Sequence, residues 1–317
     1  MSDVAAFLRA VGDGDIDSVR DMLAAEPSLV HATGPHPYWG GRPQALHVAI
    51  ETKRRDMFDL LLDAGADPNG RNGEYDLWSP LMLAINRERA DMRDALISCG
   101  ARIGLAEALL LKDNAAVDVL LADGLPAMAP SQGSILAFAR TPRAIDRLIG
   151  LGAPIEQRDR WGTTPIEAMS RAGADGGTLV RHMIRHGVTP DPEAFARLGD
   201  RDMLAALAEN DPSLARRDAV LMAAVDHRRH DLVRWLLGQG ASANARNTTL
   251  SRQTALHNAA WNGDLDMVQL LVEHGADLRA RDGEHDNTPS GWAETSARIT
   301  NNPACMDVAA WLVAQGG

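Results

Sequence analysis

Residues 253–277 read QTALHNAAWNGDLDMVQLLVEHGAD, and this stretch decides the fold. It contains two segments of helical length, ALHNAAW and LDMVQLLVE, with a short turn between them. The second segment runs into Gly275, and a glycine at this place supplies the left-handed backbone conformation that ends a helix. The stretch therefore predicts two short helices joined by a turn.

The end of this stretch recurs along the chain. Each copy has two or three apolar residues, two variable residues and a glycine that is usually followed by alanine. The glycines of these copies are Gly65, Gly100, Gly124, Gly152, Gly187, Gly240 and Gly275. Three intervals measure 35 residues: from 65 to 100, from 152 to 187 and from 240 to 275. Self-similarity of this kind is the signature of a repeat array.

The start of the stretch recurs as well. Its copies read QALHVAI at 44–50, SPLMLAI at 79–85, TTPIEAM at 163–169 and NTPSGWAE at 287–294. Several of them place Ser or Thr directly before Pro. This pair favours a helix start, because the hydroxyl caps the first turn and Pro fits at the first helical position.

The two patterns, TPLHxAA and LLxxGAD in full form, resemble the ankyrin repeat. The resemblance implies an all-α ankyrin-repeat solenoid of about ten helix-turn-helix units, with projecting finger loops and a concave groove. It covers essentially residues 1–317 and predicts one array. Residues 1–43 would form the N-terminal capping repeat and a long finger, 44–287 the central repeats, and 288–317 the C-terminal capping repeat. It also implies that His47 and His257 bond the backbone of a neighbouring loop.

The central units match the repeat less well than the others. Residues 101–162 and 188–218 are short and degenerate relative to the full pattern. In a solenoid each unit contacts only its neighbours, so poorly matched units form weak interfaces. We expect the array to open first in these two segments.

The amino-acid composition limits the kinds of partner that the chain is expected to bind. Apolar residues make up 45% of the chain, and the net charge is −11. A nucleic-acid binder needs a positive field, so we expect no nucleic-acid partner. The first residues include acids and no basic segment, and no apolar run has the length of a membrane helix. We therefore expect neither a signal peptide nor a membrane partner.

The cysteines and histidines point to neither a disulfide framework nor a bound ion. Cys99 and Cys305 form no CxxC pair, which favours a reducing, cytoplasmic location. His182 and His186 share a helix face, but the segment lacks the Glu of a zinc-binding HExxH. We predict no metal and no cofactor.

The resemblance also places side chains in the groove, where the two residues before each inter-helix turn would point. These are Glu51, Arg87, Asp226, His227, Trp261 and Asn262 among others. Trp292 takes the position that Asn258 holds in the preceding unit. An acid, a histidine and two indoles are suited to holding a peptide or a small polar ring.

Aromatic residues cluster in the first two fingers. They are Tyr38, Trp39, Tyr75 and Trp78. Large amphipathic rings are typical anchors for a partner. The alternative is that these rings cover the edge of the core between adjacent fingers, and the sequence leaves both interpretations open.

Three functions follow from these features. The first is a protein-binding adaptor or scaffold that uses the groove and the fingers. The second is an unusual enzyme or small-molecule binder, in which Asp226, His227, His285 and Asp286 would serve as general acids and bases. The third is an inhibitory or immunity-type module for a basic partner, which the acidic charge would favour.

Overall fold

The computed structural model describes residues 3–38, 41–70, 78–127 and 133–317. Within these ranges the regular structure is helical, apart from an isolated antiparallel bridge between Arg246 and Thr254. The chain forms two compact units, Met1–Pro165 and Ile166–Gly317, called here the N-terminal and C-terminal units. None of the described helices combines the length and the apolar content that crossing a bilayer requires.

Helices follow one another in pairs in both units. Those of the N-terminal unit are α1 (Val4–Asp13), α2 (Ile16–Ala25), α3 (Ala45–Glu51), α4 (Arg55–Asp63), α5 (Pro80–Asn86), α6 (Ala90–Ser98), α7 (Leu105–Leu110), α8 (Asn114–Leu120) and α9 (Pro142–Gly150). The next ten are α10 (Pro165–Ser170), α11 (Gly176–Arg185), α12 (Pro192–Leu198), α13 (Arg201–Asn210), α14 (Asp218–Asp226), α15 (His230–Gly238), α16 (Ala255–Trp261), α17 (Leu265–Glu273), α18 (Pro289–Thr300) and α19 (Ala304–Ala314). Short 3-10 turns lie at Pro27–His31, Ile135–Phe138, Gly173–Asp175 and Leu214–Arg216.

The first helix of each pair is the inner helix, and the second is the outer one. All seven residues of the inner helix α3 are buried, whereas the outer helix α4 buries a stripe of Met57, Phe58 and Leu61. Inner helix α3 packs against α1 and α5, and α5 packs against α7. In the C-terminal unit α14 likewise lies between α12 and α16. A helix with neighbours on both sides is apolar around its circumference, and a helix at the surface is apolar on one stripe.

The recurring glycines end helices as predicted. All seven have left-handed backbone, with φ between 85° at Gly100 and 97° at Gly124. The helix starts predicted from Ser-Pro and Thr-Pro are also confirmed. The Ser79 hydroxyl accepts a hydrogen bond from the Met82 N–H at 3.1 Å, and the Thr288 hydroxyl accepts one from the Gly291 N–H at 3.3 Å.

The turn between the helices of a pair contains a second left-handed residue. Gly263 has φ 65°, and a Cβ there would lie 3.0 Å from the Cys305 backbone nitrogen. The same turn is made by residues with side chains at Lys53, Glu88 and Arg228, with φ between 56° and 59°. This position is costly for an L-residue with a Cβ. The repeat pattern in the sequence does not predict this position.

The poorly matched segment 101–162 has reduced helices. Helix α7 has six residues and α8 has seven. The next inner segment is a 3-10 turn, Ile135–Phe138, that leads to the full outer helix α9. Because α7, α8 and this 3-10 turn contain few helical turns, this part of the N-terminal unit has little helical surface to pack against its neighbours.

Candidate functional site

Successive inner helices of the C-terminal unit present side chains at one equivalent position. Arg197, Asp226 and Trp261 each lie two residues before the left-handed residue of the inter-helix turn. Arg171 stands in the same relation to Gly173. We call these four residues the groove row, because this is the position predicted to face the groove. Since α12, α14 and α16 pack side by side, the row crosses the face of the stack.

Two indoles meet at one end of the groove row. The rings of Trp261 and Trp292 lie edge to face, with centroids 5.8 Å apart and planes at 74°. Trp292 also meets the His257 ring at 5.3 Å. The Trp261 carbonyl accepts hydrogen bonds from the Ser296 hydroxyl at 2.7 Å and the Cys305 thiol at 3.3 Å. Both indoles are half-buried, so the pair is held in place and still offers ring surface to a ligand.

A buried carboxylate fixes the Trp292 indole. The indole Nε1–H donates to Asp282 Oδ2 at 2.9 Å. Asp282 also accepts the backbone N–H groups of Glu284 at 2.9 Å, His285 at 2.7 Å and Asn287 at 3.1 Å. Burial on its own would raise the pKa of Asp282. The hydrogen bonds outweigh it and hold the pKa below the ordinary value.

The predicted amides lie beside the indoles. The Asn262 Nδ2–H donates to the Asp226 carbonyl at 3.3 Å, which ties α16 to α14. Asn258 is half-buried and lies one turn before Trp261 and Asn262 on the same face of the chain. The structure thus brings Asp226, Asn258, Trp261, Asn262 and Trp292 into one region, and ligand binding by them remains a prediction.

The imidazole rings of the two histidines considered as catalytic bases are not hydrogen-bonded to the nearest carboxylates. His227 Nδ1 is 3.2 Å from the Ala223 carbonyl and 3.7 Å from Asp226 Oδ2. His285 Nδ1 is 3.8 Å from Asp282 Oδ1. Burial lowers the pKa of His227, Arg197 and Arg171 add to this effect, and Asp226 opposes it. A neutral imidazole is favoured there, without the carboxylate bond that orients a general base. Asp286 is exposed and pairs with Arg281.

In the N-terminal unit the Glu51 side chain is buried, although the sequence predicted that it faces the groove. Only 1% of the side chain is exposed. Its carboxylate oxygens lie 3.1 Å from His36 Nε2 and 3.1 Å from Arg87 Nη2. Arg87 itself is exposed, as predicted. Glu51 therefore joins the finger to two successive repeats instead of offering a free charge.

The finger aromatics that the structure describes pack against the unit itself. The Tyr38 hydroxyl donates to Asp13 Oδ1 at 2.6 Å, and the Arg9 guanidinium lies 4.8 Å from the ring centre. Trp78 packs against Phe138 with ring centroids 5.9 Å apart. These contacts favour the interpretation in which the rings cover the edge of the core. Trp39 and Tyr75 lie outside the described residues.

The two TPLH-position histidines have the expected structural role. His47 Nε2 lies 2.9 Å from the Trp78 carbonyl, and His257 Nε2 lies 3.1 Å from the Asn287 carbonyl. Both carbonyls belong to the finger before the next helix. Burial lowers the pKa of both imidazoles, although these backbone contacts oppose the shift.

Comparison with known families agrees with this arrangement. Residues 193–282 match the model for ankyrin repeats in three copies, and residues 45–73 match the model for a single ankyrin repeat. The chain contains ankyrin repeats over these residues. The helical pairs and the paired His47 and His257 contacts are therefore those of ankyrin repeats.

The relatives of this ankyrin chain include larger proteins. The E3 ubiquitin-protein ligase XB3 of Oryza sativa subsp. japonica is 30% identical over 170 residues, which are 54% of this chain and 35% of that protein. The E3 ubiquitin-protein ligase KEG of Arabidopsis thaliana is 25% identical over 307 residues, 92% of this chain and 16% of that protein. Among solved structures, the human ASB11 ankyrin repeat domain matches with a TM-score of 0.40 and 21% identity. That match covers 64% of this chain and 99% of that domain. The chain thus spans about a third or less of the length of these two ligases.

Sequence reasoning missed two arginines in the groove row of the ankyrin array. Arg197 belongs to a unit in which the TPLH pattern is degenerate, so its register did not locate that residue. Arg171 lies at the groove position of the TTPIEAM copy at 163–169, and the register of that copy is enough to locate it. The glycine of the inter-helix turn is the feature of the sequence that locates both arginines. Gly173 and Gly199 follow these arginines at the same spacing as Gly263 follows Trp261.

Proposed function

We propose that this ankyrin-repeat chain is a protein-binding adaptor, and that the groove row of its C-terminal unit receives the partner. The supporting observation is the half-buried edge-to-face pair of Trp261 and Trp292. Tryptophans fixed before binding supply large contact area at little entropic cost, and they are enriched among the residues that dominate binding energy.

The surroundings of the indoles suit a polypeptide. Asn258 and Asn262 place amide groups next to the rings, and such groups are able to pair with the main chain of an extended partner segment. Apolar rings with a polar rim are the usual anatomy of a protein interface. The net charge of −11 also disfavours a nucleic acid as the partner.

The two plant relatives are named as ubiquitin ligases, but the proposal concerns only the repeat array. The chain matches 35% of one and 16% of the other, so a ligase activity does not carry over. What we propose to be shared is the capacity of the repeats to hold another protein.

Site-specific photo-cross-linking tests this function. A benzoylphenylalanine in place of Asn258 would report on the groove, and one in place of the exposed Arg234 on outer helix α15 would serve as the control. In an extract of the source cells, we expect a defined protein adduct from position 258 that is absent from position 234. The adduct should disappear in the Trp261→Ala variant. Equal adducts at the two positions, or no effect of Trp261→Ala, would contradict the proposal.

A further inference from the structure

Three residues of the groove row lie at the carboxyl-terminal ends of inner helices. Arg197 is the second-last residue of α12, and Asp226 and Trp261 are the last residues of α14 and α16. The unpaired carbonyls at this end make it the negative pole of the helix dipole, where a cation is stabilising and an acid is not. Arg197 supplies such a cation to α12. The last turn of α14 contains no basic residue and ends in a carboxylate.

The Asp226 carboxylate is accessible to a partner. Its side chain is 56% exposed. Among the described residues, the basic side chain within ion-pair distance of it is His227, whose Nδ1 lies 3.7 Å from Asp226 Oδ2. That imidazole already lies 3.2 Å from the Ala223 carbonyl through the same nitrogen, and burial lowers its pKa and so favours its neutral form. The carboxylate therefore gains from a cation that a partner brings.

The arginines next to Asp226 in the sequence and in the groove row are engaged with other groups. Arg228 Nε donates to Asp264 Oδ2 at 2.8 Å, and Arg229 Nε donates to the Arg197 carbonyl at 2.6 Å. The Arg197 side chain is 9% exposed and forms an ion pair with an acid of its own helix. These contacts leave the Asp226 carboxylate to solvent or to a ligand.

The Trp261 indole stands in the next position of the row. Helices α14 and α16 pack together, and the Asn262 Nδ2–H bond of 3.3 Å to the Asp226 carbonyl joins their turns. The contact with Trp292 limits the orientations of the Trp261 ring. The Trp261 indole N–H has no acceptor among the described residues and keeps contact with solvent, so this edge of the ring is open to a ligand.

A guanidinium is the group that best satisfies a carboxylate and an indole together. A cation is attracted to the face of a tryptophan within about 6 Å of the ring centre, and a charge-assisted hydrogen bond to a carboxylate measures about 2.8 Å. These two distances together span the interval of about 8–10 Å between packed helices. Because the guanidinium is planar, it stacks on the ring and donates within its plane at the same time, which an ammonium does not do.

We infer that Asp226 and Trp261 together bind an arginine side chain of the partner protein. The guanidinium stacks on the Trp261 ring and donates to the Asp226 carboxylate, and its charge compensates the negative end of α14. The net charge of −11 favours the approach of a segment that is basic at this point. The inference rests on the proposed function, because it names one residue type of the segment that the groove receives.

A peptide titration followed by NMR tests this inference with the full chain. The probes are the blocked pentapeptide GSRGS and its counterparts with citrulline, which keeps the shape without the charge, or lysine in place of the arginine. The indole N–H resonance of Trp261, assigned with Trp261→Phe, reports binding. We expect a saturable shift, with the arginine peptide binding at least about fivefold more tightly than the citrulline peptide and about threefold more tightly than the lysine peptide. No saturable shift, or equal affinity for the arginine peptide and either counterpart, would overturn the inference.

Variants locate the effect. Asp226→Asn keeps the size of the side chain and removes its charge, so the preference for arginine over citrulline should disappear. The control is Asp231→Asn, which makes the same charge change at an exposed position of outer helix α15 and should preserve the preference. Loss of the preference in both variants alike would assign it to net charge and overturn the inference.

Trp261→Leu tests the stacking contact, with the Trp292 indole resonance as the reporter. The advantage of arginine over lysine should disappear, because the ring that favours the planar guanidinium is gone. An unchanged advantage would overturn the shared site. The adaptor function is tested separately by the adduct at position 258. An adduct that survives Asp226→Asn unchanged would overturn the arginine anchor and leave the adaptor intact. Absence of the adduct from the wild-type chain, with the arginine preference retained, would contradict the adaptor and keep the arginine site.

Discussion

The indole Nε1–H of Trp292 donates a hydrogen bond to Asp282 at 2.9 Å, and this contact joins a finger to an inner helix. The same carboxylate accepts three backbone N–H groups of the finger that precedes α18. The indole and the finger are therefore positioned by one buried group. A ligand at the Trp261–Trp292 pair meets a surface whose geometry exists before binding, which lowers the entropic cost of association.

We predict that Asp282→Asn destabilises the C-terminal unit by about 2 kcal/mol, because hydrogen bonds to a charged acceptor are worth more than neutral ones. Urea unfolding monitored by circular dichroism measures the change. Asp286→Asn, at an exposed position of the same finger, should alter the free energy of unfolding by less than about 0.5 kcal/mol. Equal effects of the two substitutions would show that the finger does not depend on the buried carboxylate.

A second prediction concerns the left-handed turn residue Glu88. Its φ of 56° is unfavourable for a residue with a Cβ, and glycine adopts this conformation without that clash. Glu88→Gly should therefore raise the free energy of unfolding by about 0.5–1 kcal/mol, after allowance for the flexibility of glycine in the unfolded chain. The control is Glu88→Ala, which removes the same carboxylate and keeps the Cβ. A gain of equal size in the alanine variant would assign the effect to the charge and contradict the backbone argument.

The repeat pattern predicted the helices and their ends because both depend on local chemistry. The glycines that follow seven of the outer helices and the hydroxyls before Pro80 and Pro289 act within one helical turn. The roles of His47 and His257 were also predictable, since the resemblance implies a contact between each histidine and the following loop.

The contacts that decide the candidate site were less predictable because they join side chains distant in sequence. Glu51 occupies a groove position in the pattern, yet the finger residue His36 and Arg87 of the next repeat enclose its carboxylate. Asp282 lies in the segment RARDGEHDN at 279–287, whose Gly, Asp and Asn residues predict only a turn, and its bond to Trp292 depends on how the finger folds back. The position of a residue in the repeat predicts which face of the helix it occupies. It does not predict which side chain from a distant part of the sequence contacts it.

A third prediction follows from the buried His257. Its Nδ1 accepts the Thr254 backbone N–H at 3.1 Å, so Nε2 carries the proton toward the Asn287 carbonyl. Burial lowers the pKa of this imidazole in the folded chain relative to an ordinary value of about 6.5. The folded state thus binds fewer protons than the unfolded state in the interval below that value. Stability is fully present above pH 6.5 or so and falls as the pH drops toward the folded pKa.

Thermal unfolding between about pH 7.5 and 5.5 checks this dependence. The wild-type chain should lose stability across this range, and His257→Gln should lose less because it removes one contributor. His274→Gln, at an exposed position of the same repeat, is the matched control and should keep the wild-type dependence. A His257→Gln profile parallel to that of the wild type would contradict the assignment.

The last prediction concerns where the N-terminal unit opens. Its α7, α8 and the 3-10 turn Ile135–Phe138 are short, and two apolar side chains of α8 face solvent, with Val119 75% and Leu120 42% exposed. Helix α3 is buried along its whole length. In repeat arrays stability is close to a sum of unit and neighbour-interface contributions, so a unit with little burial opens at a lower free energy. Hydrogen exchange should therefore be faster for amides of Leu105–Leu120 and Ile135–Phe138 than for those of Ala45–Glu51. Equal protection of these segments would mean that the short helices are stabilised by their neighbours as strongly as α3, and the argument from burial would fail.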